Sequence, residues 1–180
     1  GLFEGIELFP PRAPSLTAWL AGSIFLLVAL ILVRPHWRRS VTEQKPTWRL
    51  FAPTNPQEER MWIALSLSAG IDEELVWRGV LPALLETLTD SPLAAVITSV
   101  ISFAVAHAVQ GVRSVLAIAA IAAAFHALVG LSGSLYVGMI VHFVYDVIAG
   151  FTYARFAREL GMLADREPTS GESRGSGDAA

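Results

Sequence analysis

Asp72-Glu73-Glu74-Leu75-Val76-Trp77-Arg78 sets three carboxylates and a guanidinium inside a segment that is otherwise apolar. Met61 to Ile71 before it and Gly79 to Leu85 after it contain no charged residue. Ionisable groups at membrane depth are costly, so a cluster of them persists where it faces protein or a water-filled pocket and serves a function there. The stretch reads as a functional site within a membrane helix.

Two further apolar segments supply groups that could answer it. Phe103-Ala104-Val105-Ala106-His107 closes a run that begins near Pro92, and His142-Phe143-Val144-Tyr145-Asp146 lies inside a run from Ser134 to about Ala154. A spacing of four places both members of each pair on one helix face, so His142 and Asp146 can converge on one point.

Composition sets the class. Of 180 residues 53% are hydrophobic and 16% charged, against about 25% charged in soluble domains. This is the composition of an all-α, polytopic membrane bundle. The net charge of −3, without basic residues patterned among aromatics, argues against nucleic-acid binding. The absence of cysteine excludes disulfides and thiolate metal sites. Gly1 in place of Met points to a fragment or processed form.

About five spans can be drawn. Residues 1–14, with Pro10, Pro11 and Pro14, form an irregular lead-in. Residues 15–33 are a nearly uncharged run of 19, about 28 Å as helix. The run is too long for a signal peptide and is followed by arginines, so it is taken as the first transmembrane helix. Residues 34–60 form a polar connector with Arg34, Arg38, Arg39, Lys45, Arg49 and Arg60. Residues 61–154 form the functional core. In it, a helix from Gln57 to about Leu88 is too long for one straight span and is expected to bend or break at Gly70 and Pro82. Pro92 to Val109, Ser114 to about Leu131, and Ser134 to about Ala154 follow, the last after a Leu131 to Ser134 turn. Residues 155–180 are an acidic, Gly- and Ser-rich tail, largely disordered.

Loop charges orient this layout. The 86–91 and 131–134 loops carry no Lys or Arg, whereas 34–60, Arg113, Arg155 and Arg158 are basic. The positive-inside bias then puts the connector and the tail in the cytoplasm, in an inner, plasma or ER-type membrane. In this layout His107 lies near the cytoplasmic end of its span, and Glu73 and His142 lie nearer the middle.

A glutamate pair with arginine one turn later, then Phe-x-x-x-His, then His-x-x-x-Asp, in three separate apolar segments, resembles the CPBP family. These are the CAAX-protease and bacteriocin-processing (Abi) membrane proteins, which include the Ras-converting prenyl endopeptidases. The resemblance runs from about Arg60 to Tyr153, and Leu131-Ser132-Gly133-Ser134-Leu135 looks like that family's turn into its last motif helix. It implies an intramembrane endopeptidase with Glu73, His107, His142 and Asp146 at the catalytic positions. The partners it implies are membrane lipid and a membrane-associated or lipidated protein, cut in some members just after the lipid-bearing cysteine.

The residues support this chemistry directly. Peptide hydrolysis needs a base for water, a stabiliser for the oxyanion and a proton for the leaving amine. Glu73 is the natural base, and His107 could share the water. His142 and Asp146 could act on the substrate carbonyl, or all four residues could hold one divalent metal, zinc being the best match. A metal-free mechanism stays open. The well-studied prenyl endopeptidases resemble an Asn type here and the family pattern tolerates both; Asp146 favours the metal, because ionised Asp cannot donate to an oxyanion. Glu74 and Arg78 are expected to form a structural ion pair, Phe103 to pack under His107, Asp72 to be a solvated or capping acid, and His126 to be structural. Trp77 and Tyr145 could shape a cavity or fill it. A proton-coupled transporter is disfavoured by the short chain and the lack of a repeat. A non-catalytic interaction or immunity protein is disfavoured by the intact motifs.

Overall fold

The computed structural model describes residues 13–45 and 48–163, and among these the regular structure is entirely helical. Seven α-helices run in order: α1 Leu16–Thr42, α2 Trp48–Phe51, α3 Pro56–Glu74, α4 Leu81–Thr89, α5 Pro92–Ala106, α6 Val112–Ser132 and α7 Leu135–Glu159. A π-helical turn, Leu75–Val80, joins α3 to α4, and a 3₁₀ turn, Ala108–Gln110, precedes α6. α1, α6 and α7 are each long and apolar enough to cross a membrane, and α5 is a shorter apolar helix. The lead-in up to residue 12 and the tail from residue 164 lie outside the described residues.

The helix starts follow from capping side chains. Ser15, Asn55, Ser91 and Ser134 each present an oxygen to a backbone N–H two or three residues on, and Pro56 and Pro92 occupy the first helical turn, where no N–H is needed. Gly133, at φ 63°, ends α6 in the left-handed conformation and allows the immediate reversal into α7.

The helix from 56 to 89 is continuous, with its irregularity at Leu75–Val80. The expected break at Gly70 is therefore corrected. Gly70 instead lets α3 meet α7 backbone to backbone: a Cβ there would lie 2.9 Å from the Met139 carbonyl oxygen. The wide turn has its cause in Pro82. Leu81 N–H donates back to Val76 O, five residues away, so Trp77 O loses its α-helical partner, and its π-helical partner would be Pro82, which has no N–H. Ser99 on α5 satisfies that carbonyl, its Oγ donating to Trp77 O at 2.5 Å.

Two boundaries also shift. α1 does not stop at Val33 but continues through Pro35 to Thr42, and α7 runs past Ala154 to Glu159. These extensions pack on each other. Trp37 and Val41 of α1, Trp48 of α2, and Ala154, Phe156 and Ala157 of α7 form one buried cluster. Part of the 34–60 connector and the first residues of the expected tail thus belong to the folded core.

Contacts between helices give the arrangement. α3 packs on α7, α4 on α5, α5 on α6 and α6 on α7, closing a ring; α1 lies across α6 and α7. Leu20, Ile24, Leu27, Ile31 and Leu32 of α1 remain exposed, as suits a surface solvated by lipid tails. The chain is an integral membrane helical bundle, and the space inside its ring is where the motif residues meet.

Candidate active site

A cavity of about 330 Å³ lies within the ring, and Glu73, Arg78, Phe103, His107, His142 and Asp146 all line it. Three stretches far apart in sequence are therefore brought to one space. His107, expected nearer the cytoplasmic end than Glu73 and His142, lines the same cavity as they do. The fifteen residues of α5 make about 22 Å of helix, less than a hydrocarbon core of about 30 Å. α5 is short, and His107, its C-terminal cap, stands at the cavity.

Glu74 is the anchor of the site. It is fully buried, and its Oε1 lies 3.2 Å from Arg78 Nη1 and accepts a hydrogen bond from His142 Nδ1 at 2.8 Å. Arg78 is as deeply enclosed, its guanidinium carbon 4.4 Å from the centre of the Phe103 ring and 5.1 Å from that of Phe125. Two aromatic faces thus replace water around the cation while Glu74 balances its charge. The expected ion pair is present. Its link to His142 was not foreseen, since nothing in a sequence joins residues 68 positions apart. Gly138 makes room for it: a Cβ there would be 3.0 Å from Glu74 Oε2.

That hydrogen bond orients the imidazole. With Nδ1 donating to Glu74, the other nitrogen of His142 faces the cavity, 3.7 Å from Glu73 Oε2 and 3.5 Å from Asp146 Oδ2. His107 is held in a similar way. Its Nδ1 donates to Phe103 O at 2.9 Å, and its ring lies 4.5 Å from the Phe103 ring. Nε2 of His107 is left to accept a hydrogen bond or to bind. Phe103 therefore packs under His107, as expected, and also under Arg78.

Asp146 is fixed through its backbone, because the Trp62 indole N–H donates to its carbonyl oxygen at 2.9 Å. Tyr145 and Trp77 both bear on the site. Tyr145 lines the cavity against Trp37, while Trp77 packs edge-on to Phe103. Asp72 caps no helix; it is exposed within α3 and accepts from Ser68 Oγ at 2.7 Å. His126 is half-buried beside the buried Phe125, within electrostatic range of Arg78 and Glu74. Phe125 and Trp62 were missed by sequence reasoning; an indole inside an apolar span, which must find an acceptor, was the available signal for Trp62.

Carboxylate and imidazole are zinc-type donors. Among the described residues, however, no group of three or more His, Asp or Glu side chains has an arrangement that could hold a metal ion.

A membrane helical bundle whose interior cavity gathers a glutamate, two oriented histidines and an aspartate has the make-up of an intramembrane hydrolase. A family model described as type II CAAX prenyl endopeptidase Rce1-like matches residues 56–148. The chain belongs to that family. Comparisons with curated proteins and with solved structures find no match.

Proposed function

We propose that the protein is an intramembrane endopeptidase that cuts a membrane-associated, prenylated CAAX-type protein using water activated by Glu73. The observation that carries this reading is the meeting of Glu73, His107, His142 and Asp146 in one cavity, with both imidazoles oriented through Nδ1.

The residues divide the work by position. Glu73, whose side chain keeps 30% of its exposure, can reach water, and His107 Nε2 can accept from the same molecule. Water oxygen adds to the scissile carbonyl carbon while its proton passes to Glu73. The carbonyl π pair moves to oxygen, giving an oxyanion that His142 Nε2, when protonated, can stabilise. The C–N bond then breaks, and the proton held by Glu73 goes to the departing amine. Asp146 Oδ2, 3.5 Å from His142 Nε2, stands beside the same carbonyl position.

The test is a proteomic comparison of cells carrying the wild type and Glu73→Gln at equal abundance. Prenylated membrane-associated proteins should lose C-terminal mass only with the wild type. Identical masses in both strains would contradict the reading.

A further inference from the structure

A side cavity of about 70 Å³ lies between α1, α6 and α7. Trp37, Phe51, Gln110, Ile121, Tyr145 and Tyr153 line both this space and the catalytic cavity, so the two lie side by side. Its walls include Val33, Ala117 and Ile118, and its polar lining includes His36 and Lys45. Lys45 Nζ lies 3.2 Å from Glu43 Oε2, and Arg39 Nε also bonds Glu43. One acid thus stands between two cations, and the ammonium group has three donors, of which Glu43 engages one.

We infer that this side cavity is a subsite for the free C-terminal carboxylate of the substrate, with Lys45 as its counter-charge and His36 as a second donor. The inference rests on the peptidase reading above. A scissile bond beside Glu73 leaves a C-terminal piece of the substrate to be accommodated. The side cavity has room for roughly five water molecules, which suits an apolar residue with a terminal group and not a continuing chain. The charge found at such an end is a carboxylate, and a lysine ammonium is its complement. Lys45 and His36 lie outside the residues 56–148 matched by the family, so the charged end of the subsite is supplied by α1 and the segment after it, while α6 and α7 supply apolar wall.

The subsite also assigns a purpose to the extended α1. Trp37 and Val41 hold the end of that helix against α7, which keeps His36 and Lys45 beside the cavity rather than free at the membrane surface.

The test is binding, which does not depend on turnover. Glu73→Gln protein in nanodiscs of phosphatidylcholine with a minor share of phosphatidylglycerol is titrated with a fluorescein-labelled peptide ending in an S-farnesyl cysteine and three apolar residues, once as the free acid and once as the C-terminal amide, and the lipid retained by the purified protein is measured alongside. The acid should bind roughly tenfold or more tightly than the amide. In the Glu73→Gln background, Lys45→Met should remove that preference by weakening the acid alone, and Lys45→Arg should keep it. Equal or absent binding of the two peptides, or a preference that survives Lys45→Met, overturns the subsite. So does a Lys45→Met effect confined to retention of phosphatidylglycerol, which would make the ligand a lipid phosphate. A preference for the acid together with an inert wild-type enzyme would leave the subsite standing and remove the peptidase reading.

Discussion

Glu74 on α3 and His142 on α7 are joined by a 2.8 Å hydrogen bond inside the bundle, and the same carboxylate oxygen faces Arg78 at 3.2 Å. One buried acid therefore fixes both the cation beneath it and the imidazole above it. Glu73, His142 and Asp146 lie within helices, and His107 caps the end of one.

Arg78 tests this arrangement first. Arg78→Ala would leave Glu74 charged and buried without its counter-ion, and breaking such pairs costs about 3 to 5 kcal/mol. The variant should denature at a markedly lower temperature in detergent. Because Glu74 also holds His142, Glu74→Gln should be milder in stability than Arg78→Ala yet lower activity through the misoriented ring. Wild-type melting of Arg78→Ala with lost cleavage would instead assign Arg78 to the substrate.

Ser99 tests the π-helical turn. Ser99→Ala leaves Trp77 O without its donor in a buried setting, a loss of about 1 to 3 kcal/mol. Thermal unfolding should register the change, and Pro82→Ala in the same background should recover part of it by restoring an N–H. If Ser99→Ala melts like the wild type, the account of the turn is wrong.

What could be read from the sequence divides along physical lines. The three motifs, the three long apolar helices and the Glu74 to Arg78 pair were legible because each depends on local spacing. The role of Glu74 toward His142 was not, since it depends on how α3 and α7 approach. Gly70 looked like a break because glycine weakens isolated helices, yet tertiary contact with Met139 and Phe143 explains it better. The true irregularity came from the absent N–H of Pro82. The end of α1 was hidden for a similar reason. Hydropathy falls at Arg34, but Trp37 and Val41 continue the helix because α7 offers them a surface.

Topology follows from the loop charges. If the ends of α1 and α7 face the cytoplasm, as the loop charges predict, single cysteines at Thr42 and Leu160 should resist an impermeant thiol reagent added to intact cells, and one at Leu131 should react. All three positions are exposed in the bundle. The reverse pattern would move the opening of the site to the other face.

Asp146 separates metal-bound from metal-free water. If Glu73, His107, His142 and Asp146 held a zinc-type ion, Asp146→Asn would lose metal and activity by about tenfold to a hundredfold. With metal-free water, Asp146→Asn should stay active, because an amide at that reach can donate to the oxyanion. Bound metal and cleavage rate are read on wild type, Asp146→Asn and Asp146→Ala in one detergent. Parallel loss of metal and rate in the Asn variant would restore the ligand assignment.

The most direct measurement of the central claim is the cleavage rate of an S-farnesyl peptide by purified protein in nanodiscs, followed by mass spectrometry, for wild type and Glu73→Gln of matched folding. General-base catalysis contributes about 10²-fold to 10⁴-fold. The account predicts a single new C-terminus with the wild type and a fall of that size with Glu73→Gln. Equal rates for the two proteins would contradict it.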